Sequence, residues 1–152
     1  MTETKIITPN LIFLDEDLTS KVDIIHYIAK KAKENSYISD EDTFFNSVMQ
    51  REDEVPTAIG YGIAIPHGKT NVVKSPFIAF FRSKNSFKWT EGFEEEVQLV
   101  FQIGVPETGT EKLHLKFISE VSKKLLHEDF RNKLLTTKNA DKVFELLNSI
   151  KV

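Results

Sequence analysis

Cysteine is absent from the 152 residues, so disulfide bonds, thiolate metal sites and cysteine nucleophiles are all excluded. No apolar run approaches the roughly 18 residues that a membrane-spanning helix requires, and residues 1–5 lack the basic start and apolar core of a secretion signal. An excess of positive charge is also absent, because 20 Lys and Arg face 23 Asp and Glu for a net charge of -3. We therefore expect a cytoplasmic protein that neither inserts into a membrane nor binds bulk nucleic acid through charge.

The length of 152 residues fits one domain, and a chain of this size can bury about two-thirds of its unfolded surface without cross-links. Hydrophobic residues make up 40% and charged residues 28%, which is typical of a folded globular protein rather than a disordered one. No Gly/Ser-rich or Pro-rich linker and no internal repeat divides the sequence. We therefore expect a single domain over residues 1–152.

Hydrophobic periodicity changes twice along the chain. Three- and four-residue spacing predicts helices over about 19–32, 39–51, 110–125, 130–135 and 139–150, with Ser20, Asp40, Thr110 and Asn139 suited to cap four of them. β-Branched and aromatic runs predict strands over about 11–14, 63–65, 77–81 and 97–103, with a short edge strand at 86–89. This succession of helices, strands and helices predicts an α/β layered domain with a small mixed β-sheet flanked by helices, although strand order does not follow from it.

The most unusual local sequence surrounds His67. Three of the six glycines, Gly60, Gly62 and Gly68, lie within nine residues, which indicates tight turns or a close approach of the backbone to another group. His67 directly follows a predicted strand and sits between Pro66, which restricts the backbone, and Gly68, which admits a close neighbour. Because ligands of open α/β sheets bind at the carboxyl ends of strands, His67 is the first candidate functional residue. The alternative is a surface or hydrogen-bonded histidine in a loop.

Two further residues are candidates for the same kind of chemistry. His114 lies in the first turn of a predicted helix, on the face shared with Val121, where free backbone N–H groups attract anions. The alternative is a half-buried histidine bonded to a carbonyl. Arg51 ends a helix in a chain with three Arg against 17 Lys, and its planar guanidinium matches phosphate. The alternative for Arg51 is a charge favoured by the helix dipole, or an ion pair with Glu52 or Glu54.

Several common catalytic motifs are missing from the sequence. The glycine cluster has no Gly-Lys-Ser/Thr ending and no third glycine, so it predicts neither a phosphate loop nor a dinucleotide site. No His-Glu-x-x-His spacing and no Gly-x-Ser-x-Gly elbow occurs, so neither a metal site nor a serine hydrolase is expected. The two remaining histidines, His26 and His127, are expected to be structural or exposed.

A known signature begins at Arg51-Glu52 and continues over residues 55–68 as Val-Pro-Thr-Ala-Ile-Gly-Tyr-Gly-Ile-Ala-Ile-Pro-His-Gly. This stretch resembles the signature of the fructose/mannitol-type IIA domain of the bacterial phosphoenolpyruvate-dependent sugar phosphotransferase system (PTS). Residues 97–106 resemble that family's strand and turn before its last long helix, and residues 111–115 and 130–135 resemble its C-terminal half. The resemblance covers about residues 9–150.

The resemblance implies a mixed sheet flanked by helices and a phosphotransferase activity that forms phosphohistidine. His67 would accept a phosphoryl group from the phosphocarrier HPr and pass it to a IIB component, which serves the membrane IIC permease. Arg51 and His114 would support the site. No cofactor and no Mg²⁺ is implied, because the phosphoryl group moves between protein side chains. Fructose, mannitol and other polyols all stay open as the transported substrate, because specificity lies in the IIC partner.

Tyr61 departs from the family pattern, because relatives usually carry Asn or Glu between the two glycines, at a position that helps to arrange the site. Partner docking predicts an apolar surface around His67, with Tyr61, Phe77 and Phe81 as candidates for its rim; the alternative for both phenylalanines is the core. Two other functions stay open. One is a regulatory protein of the nitrogen-type IIA kind, whose phosphorylation state signals to partners, and the other is a degenerate domain that binds a partner without phosphoryl transfer.

Overall fold

The computed structural model describes residues 7–107 and 113–149, so the predicted cap at residue 110 and the predicted helix end at residue 150 lie outside the described residues. Within them the strands are β1 Ile7–Glu16, β2 Ala58–Gly60, β3 Ile63–Ala64, β4 His67–Lys69, β5 Phe77–Lys88 and β6 Glu96–Val105. The helices are α1 Lys21–Glu34, α2 Glu41–Glu54, α3 Leu113–Lys124, α4 Glu128–Thr136 and α5 Ala140–Asn148.

The six strands form one mixed sheet in the order β1-β5-β6-β3-β2, and β4 also pairs with β6, further along than β3. β1 is parallel to β5, β5 is antiparallel to β6, and β6 is parallel to both β3 and β4. The hairpin of β2 and β3 is antiparallel. The predicted α/β domain with a small mixed sheet is confirmed.

Helices cover both faces of the sheet, and strand alternation decides which residues each layer receives. The α1/α2 face carries one cluster of buried side chains, which includes Phe44, Val48 and Val100. The α3–α5 face carries the other, which includes Phe101 and Val121. Successive residues of β6 therefore point to opposite layers, and the mostly apolar sequence of this strand is explained by burial on both sides.

The helix starts follow the predicted caps. Ser20, Asp40 and Asn139 each accept a hydrogen bond from a backbone N–H in the first turn of the helix that follows. This bond satisfies one of the donors that a helix N-terminus leaves without an intrahelical partner. α2 continues to Glu54, beyond the predicted end near Arg51.

The predicted edge strand at 86–89 is wrong. β5 continues without a break to Lys88 and lies inside the sheet between β1 and β6. A register shift against β6 between Arg82 and Phe87 lets the strand pass through its exposed polar residues at 84–86 and resume pairing. Those polar residues interrupt the apolar pattern, which is why the sequence suggested two strands.

Every helix among the described residues is too short or too polar to cross a lipid bilayer. The two short strands β2 and β4 were not predicted, because strands of three residues carry too little periodic signal. One of them, β4, begins at His67 itself.

Candidate functional site

His67 is held in the sheet rather than in a loop. It is the first residue of β4 and pairs with Ile103 of β6 in parallel register. Residues paired in register point to the same face, and Ile103 belongs to the α3–α5 face. The side chain of His67 therefore lies on the side of the sheet that α3 covers, as do those of Ile63 and Ile65, four and two residues earlier.

The backbone carbonyl two residues before His67 selects one tautomer of its ring. Nδ1 lies 3.2 Å from the carbonyl oxygen of Ile65. A carbonyl oxygen only accepts, so in the neutral ring Nδ1 carries the proton and the lone pair is on Nε2. An imidazole with this tautomer is a nucleophile at Nε2 near neutral pH.

The surroundings of His67 favour its neutral form. Burial lowers the pKa of His67 below its ordinary value of 6.5, and the positive charge of Arg51 acts in the same direction. The hydrogen bond to Ile65 and the negative charge of Glu52 act in the opposite direction and do not reverse the shift. The ring is therefore more readily available as a nucleophile than a solvent-exposed histidine at the same pH.

Gly68 lets α2 lie directly against the strand that begins with His67. A Cβ atom at Gly68 would come within 2.8 Å of Val48 Cγ2 and 3.1 Å of Phe44 Cε1. The prediction that Gly68 admits a close neighbour is therefore confirmed, and the neighbour is the buried face of α2. This contact sets the distance between the strand and α2.

Arg51 lies in the last turn of α2, as the sequence predicted. Its Nη1 donates to the carbonyl oxygen of Val55 at 3.1 Å, which turns the guanidinium toward the end of the helix. Of the two ion pairs considered for Arg51, the one with Glu52 is not formed, because Glu52 pairs with Lys21. The positive charge of Arg51 contributes to lowering the pKa of His67, and the role of Arg51 at the site remains a prediction.

Beside Arg51, Glu52 is a buried carboxylate that is 2% exposed. Its Oε1 accepts from Trp89 Nε1 at 2.7 Å, from the Thr57 backbone N–H at 3.5 Å and from Lys21 Nζ at 3.1 Å. Among the described residues, Oε2 has no hydrogen-bond partner. Burying a carboxylate is costly unless donors compensate for lost hydration, and here three donors from three parts of the chain converge on one oxygen.

Gln102 supports the residue that precedes His67. Its side chain is 0% exposed, and Nε2 donates to the carbonyl oxygens of Pro66 and Ile103, both at 3.2 Å. The Pro66 carbonyl also accepts from the Ile103 backbone N–H at 2.9 Å. These bonds fix the peptide that leads into His67.

Sequence reasoning missed both Glu52 and Gln102. Gln102 carried a visible signal, because it is a polar residue within an apolar strand that is buried on both faces. Glu52 carried a weaker one, because a carboxylate in the last turn of a helix opposes the helix dipole and calls for a partner elsewhere. Neither signal identifies the partner, which is a matter of tertiary contacts.

His114 is the second residue of α3, which confirms the predicted first-turn position of its backbone. α3 packs against β6 and contributes Val121 to the α3–α5 face, toward which His67 points. The side chain of His114 lies outside what the structure describes. Its role at the site remains a prediction.

Tyr61 lies in the turn between β2 and β3, with φ at 57° and its side chain 61% exposed. The guanidinium carbon of Arg131 stands 4.1 Å from the centre of its ring. Between Ile63 and His67 the chain advances four positions along β6, which is about 13 Å at 3.3 Å per residue. Tyr61 therefore lies at the other end of this strand pair from His67, and Arg131 holds its ring there.

The other residues that the sequence singled out are core or surface residues. Phe77 and Phe81 are both 0% exposed, so the core alternative is confirmed for them. His26 and His127 are exposed, as expected. Among the described residues, no group of three or more His, Asp or Glu side chains could hold a metal ion.

Comparison with known proteins identifies the family of this chain. The family model described as phosphoenolpyruvate-dependent sugar phosphotransferase system, EIIA 2, matches residues 5–150. The PTS system fructose-specific EIIA component of Haloferax volcanii is 34% identical over 151 residues, which are 99% of this chain and 97% of that protein.

Solved structures share the fold. The crystal structure of nitrogen regulatory protein IIA-Ntr from Neisseria meningitidis matches with a TM-score of 0.84 and 28% identity, covering 93% of this chain and 96% of that one. Mannitol enzyme IIA from Escherichia coli, in a complex with phosphorylated mannitol enzyme IIB, matches with a TM-score of 0.79 and 23% identity, covering 94% and 99%. The resemblance read from the sequence is confirmed, and the chain belongs to the EIIA 2 family of the phosphoenolpyruvate-dependent sugar phosphotransferase system.

Proposed function

We propose that this chain is a histidine phosphocarrier of sugar uptake, in which His67 accepts a phosphoryl group from phospho-HPr and passes it to a IIB component. The observation that carries the proposal is the state of the His67 ring. Its Nδ1 donates to the Ile65 carbonyl, and its pKa is lowered by burial and by the positive charge of Arg51. A neutral imidazole with its lone pair on Nε2 beside a fixed cation suits an acceptor that must later become a donor.

The transfer step follows from these groups. The Nε2 lone pair of His67 forms the new N–P bond while the bond between phosphorus and the donor's ring nitrogen breaks, and that nitrogen keeps the electron pair. Charge on the three equatorial oxygens is offset by Arg51, whose fork can donate two parallel hydrogen bonds. His114 is proposed as a second donor to these oxygens. In the next step the acceptor group of IIB attacks phosphorus, and Nε2 recovers its lone pair.

A donor and an acceptor must dock at the same face in turn. Apolar side chains flank the site residues along the chain: Val55, which is 58% exposed, lies four residues after Arg51, and Leu115, also 58% exposed, directly follows His114. They replace Phe77 and Phe81 as the proposed apolar contacts. The complex of mannitol enzyme IIA with phosphorylated enzyme IIB supports IIB as the acceptor. HPr as donor, an indirect link to IIC and a cytoplasmic location are proposed with it.

A second candidate function is regulation of the nitrogen type, in which the phosphorylation state of His67 signals to a partner protein and no sugar is moved. The likeness to the nitrogen regulatory protein IIA-Ntr favours it. Both functions need the same first transfer, and they diverge at the acceptor. Rapid loss of the phosphoryl group to a IIB component of a fructose- or mannitol-type permease would support transport, whereas retention in the presence of such IIB components would support regulation.

Intact-mass spectrometry tests the first transfer. The protein is incubated with phosphoenolpyruvate, enzyme I and HPr, beside His67→Ala and the matched control His127→Ala, in which an exposed histidine is removed. We expect one acid-labile phosphoryl group on the wild type and on His127→Ala, and none on His67→Ala. A phosphoryl group on His67→Ala, or none on the folded wild type while a known IIA protein is loaded, would contradict the proposal.

A further inference from the structure

The carboxylate of Glu52 joins three segments that are far apart in the sequence. Lys21 begins α1, Trp89 follows β5, and Thr57 leads into β2, and all three donate to the same oxygen. Lys21 Nζ also donates to the hydroxyl of Thr90 at 3.0 Å and lies 5.4 Å from the centre of the Trp89 ring. We call Glu52 and its three donors, Lys21, Thr57 and Trp89, the anchor. It holds the end of α2 in a fixed position against the start of α1 and the end of β5.

Both charges of this anchor are placed against their own helix dipoles. Lys21 is the first residue of α1, where a cation meets the positive end of the dipole, and Glu52 lies in the last turn of α2, where an anion meets the negative end. Neither residue gains from its own helix, and the carboxylate also loses its hydration. Their pairing across the fold, rather than helix formation, accounts for both residue types.

A path of three hydrogen bonds connects this anchor to the reactive ring. Glu52 Oε1 accepts from the Thr57 N–H at 3.5 Å, and the Thr57 carbonyl accepts from the Ile65 N–H at 3.0 Å. The Ile65 carbonyl then lies 3.2 Å from His67 Nδ1. The first bond is the longest and therefore the weakest of the three. Each bond fixes the backbone that makes the next, so the position of the carboxylate is transmitted to the carbonyl that orients the imidazole.

We propose that Glu52 is a positioning residue for His67: its buried carboxylate fixes Thr57 and, through the Ile65 carbonyl, holds the proton of His67 on Nδ1 so that Nε2 receives the phosphoryl group. The proposal rests on the phosphocarrier function proposed above and adds a residue to that site. In metal sites, groups that hold the second nitrogen of a ligating histidine fix its tautomer and ring orientation, and losing them typically costs roughly 10- to 100-fold in affinity or activity. We expect an effect of the same order here.

The test separates geometry from charge with three variants. Glu52→Gln keeps an acceptor oxygen at the same reach without the charge, Glu52→Asp keeps the charge but withdraws the oxygen by one carbon–carbon bond of about 1.5 Å, and Glu52→Ala removes both. The first readout is the ¹⁵N chemical shifts of the His67 ring at alkaline pH, which report the fraction of each tautomer. The second is the rate of phosphoryl acceptance from phospho-HPr.

We expect the Nδ1–H tautomer to dominate in the wild type and in Glu52→Gln, to decline in Glu52→Asp and to decline furthest in Glu52→Ala. Acceptance should fall in the same order, by roughly 10- to 100-fold in Glu52→Ala. Wild-type tautomer fractions in both Glu52→Asp and Glu52→Ala would overturn the proposal. So would loss of the tautomer in Glu52→Gln with retention in Glu52→Asp, because charge rather than reach would then be the cause. Should Glu52→Ala fail to fold, Glu52→Asp and Glu52→Gln still decide.

Leu147→Ala is the matched control for loss of stability. Leu147 is 0% exposed in α5. This helix packs against the edge strand β1, which β5 and β6 separate from β4. The variant should unfold at lower urea concentration and keep the wild-type tautomer, whereas an equal tautomer change there would overturn the proposal. A wild type that takes no phosphoryl group while the Glu52 variants still shift the tautomer would overturn the phosphocarrier function and leave the positioning role supported.

Discussion

Arg82 and Glu52 are both buried charged residues, but their hydrogen bonding differs. Arg82 is 1% exposed, and its Nε and Nη2 donate to Asp15 at 2.8 and 3.0 Å, while Nη1 donates to the carbonyls of Leu134 and Thr137, both at 2.8 Å. Every nitrogen of its guanidinium is therefore occupied. Glu52 receives three donors on one oxygen, and its other oxygen has no hydrogen-bond partner among the described residues.

Arg82 also lies at a different level of the sheet from the reactive ring. Arg82 pairs with Leu99 in the β5–β6 register, whereas His67 pairs with Ile103 of the same strand. Four residues separate these levels, which is about 13 Å. Arg82 ties β1 and β5 to the end of α4 and the residue that follows it, far from the reactive ring. A buried charge alone therefore does not mark a functional site. The hydrogen bonds that connect it to a reactive group do.

The largest effect is expected at the His67 end. Arg51→Ala should lower the rate of phosphoryl acceptance by roughly 100- to 1000-fold, because a fixed donor to the charge of the transition state is lost. Its stability should change little, since the side chain is only partly buried. Stopped-flow or quench-flow transfer from phospho-HPr measures the rate. Arg51→Lys keeps the charge without the planar fork and should recover only part of it; full recovery would show that charge alone suffices.

The reverse pattern is expected at the Arg82 end. Arg82→Met should lower the free energy of unfolding by about 3 kcal/mol, because two backbone carbonyls and Asp15 lose their donors. Folded protein should accept phosphoryl at close to the wild-type rate. Urea unfolding and the transfer assay, run on the same preparation below the unfolding transition, measure both quantities. A rate loss as large as that of Arg51→Ala would remove the distinction between the two ends.

The smallest effect concerns pH. Because burial and the Arg51 charge lower the pKa of His67, NMR titration of its ring should give a midpoint below 6.5. Arg51→Ala should raise that midpoint, and Arg82→Met should leave it unchanged. The folded ring stays neutral where the unfolded ring is protonated, so this group makes the protein less stable as pH falls from 6.5 through the folded pKa. A midpoint above 6.5 would contradict the described environment.

Elements with strong local signals were predicted from the sequence. The caps Ser20, Asp40 and Asn139 bind their own first turns, and the apolar runs of β5 and β6 are buried strands. Strand order, the passage of β5 through its polar residues and the three-residue strands were not predictable, because they depend on pairing partners distant in sequence. A local period carries no information about which strand lies beside it.

The site divides in the same way. His67, Arg51 and His114 were proposed as site residues from local motifs and from the family resemblance. Glu52 and Gln102 were not, because each acts through backbone groups that the fold brings to it. Phe77 and Phe81 are core residues, the alternative that the sequence had offered for both, because an apolar residue in a strand gives the same local signal whether it faces a partner or the core. Burial, and not residue type, decides that question.

The central proposal is that the Ile65 carbonyl holds the proton of His67 on Nδ1 and so directs the phosphoryl group to Nε2. Long-range ¹H–¹⁵N spectra of the ¹⁵N-labelled, phosphorylated protein, read for coupling between phosphorus and each ring nitrogen, test it most directly. We expect phosphorus on Nε2 of His67, with Nδ1 still protonated. Phosphorus on Nδ1, or on any residue other than His67, would contradict it.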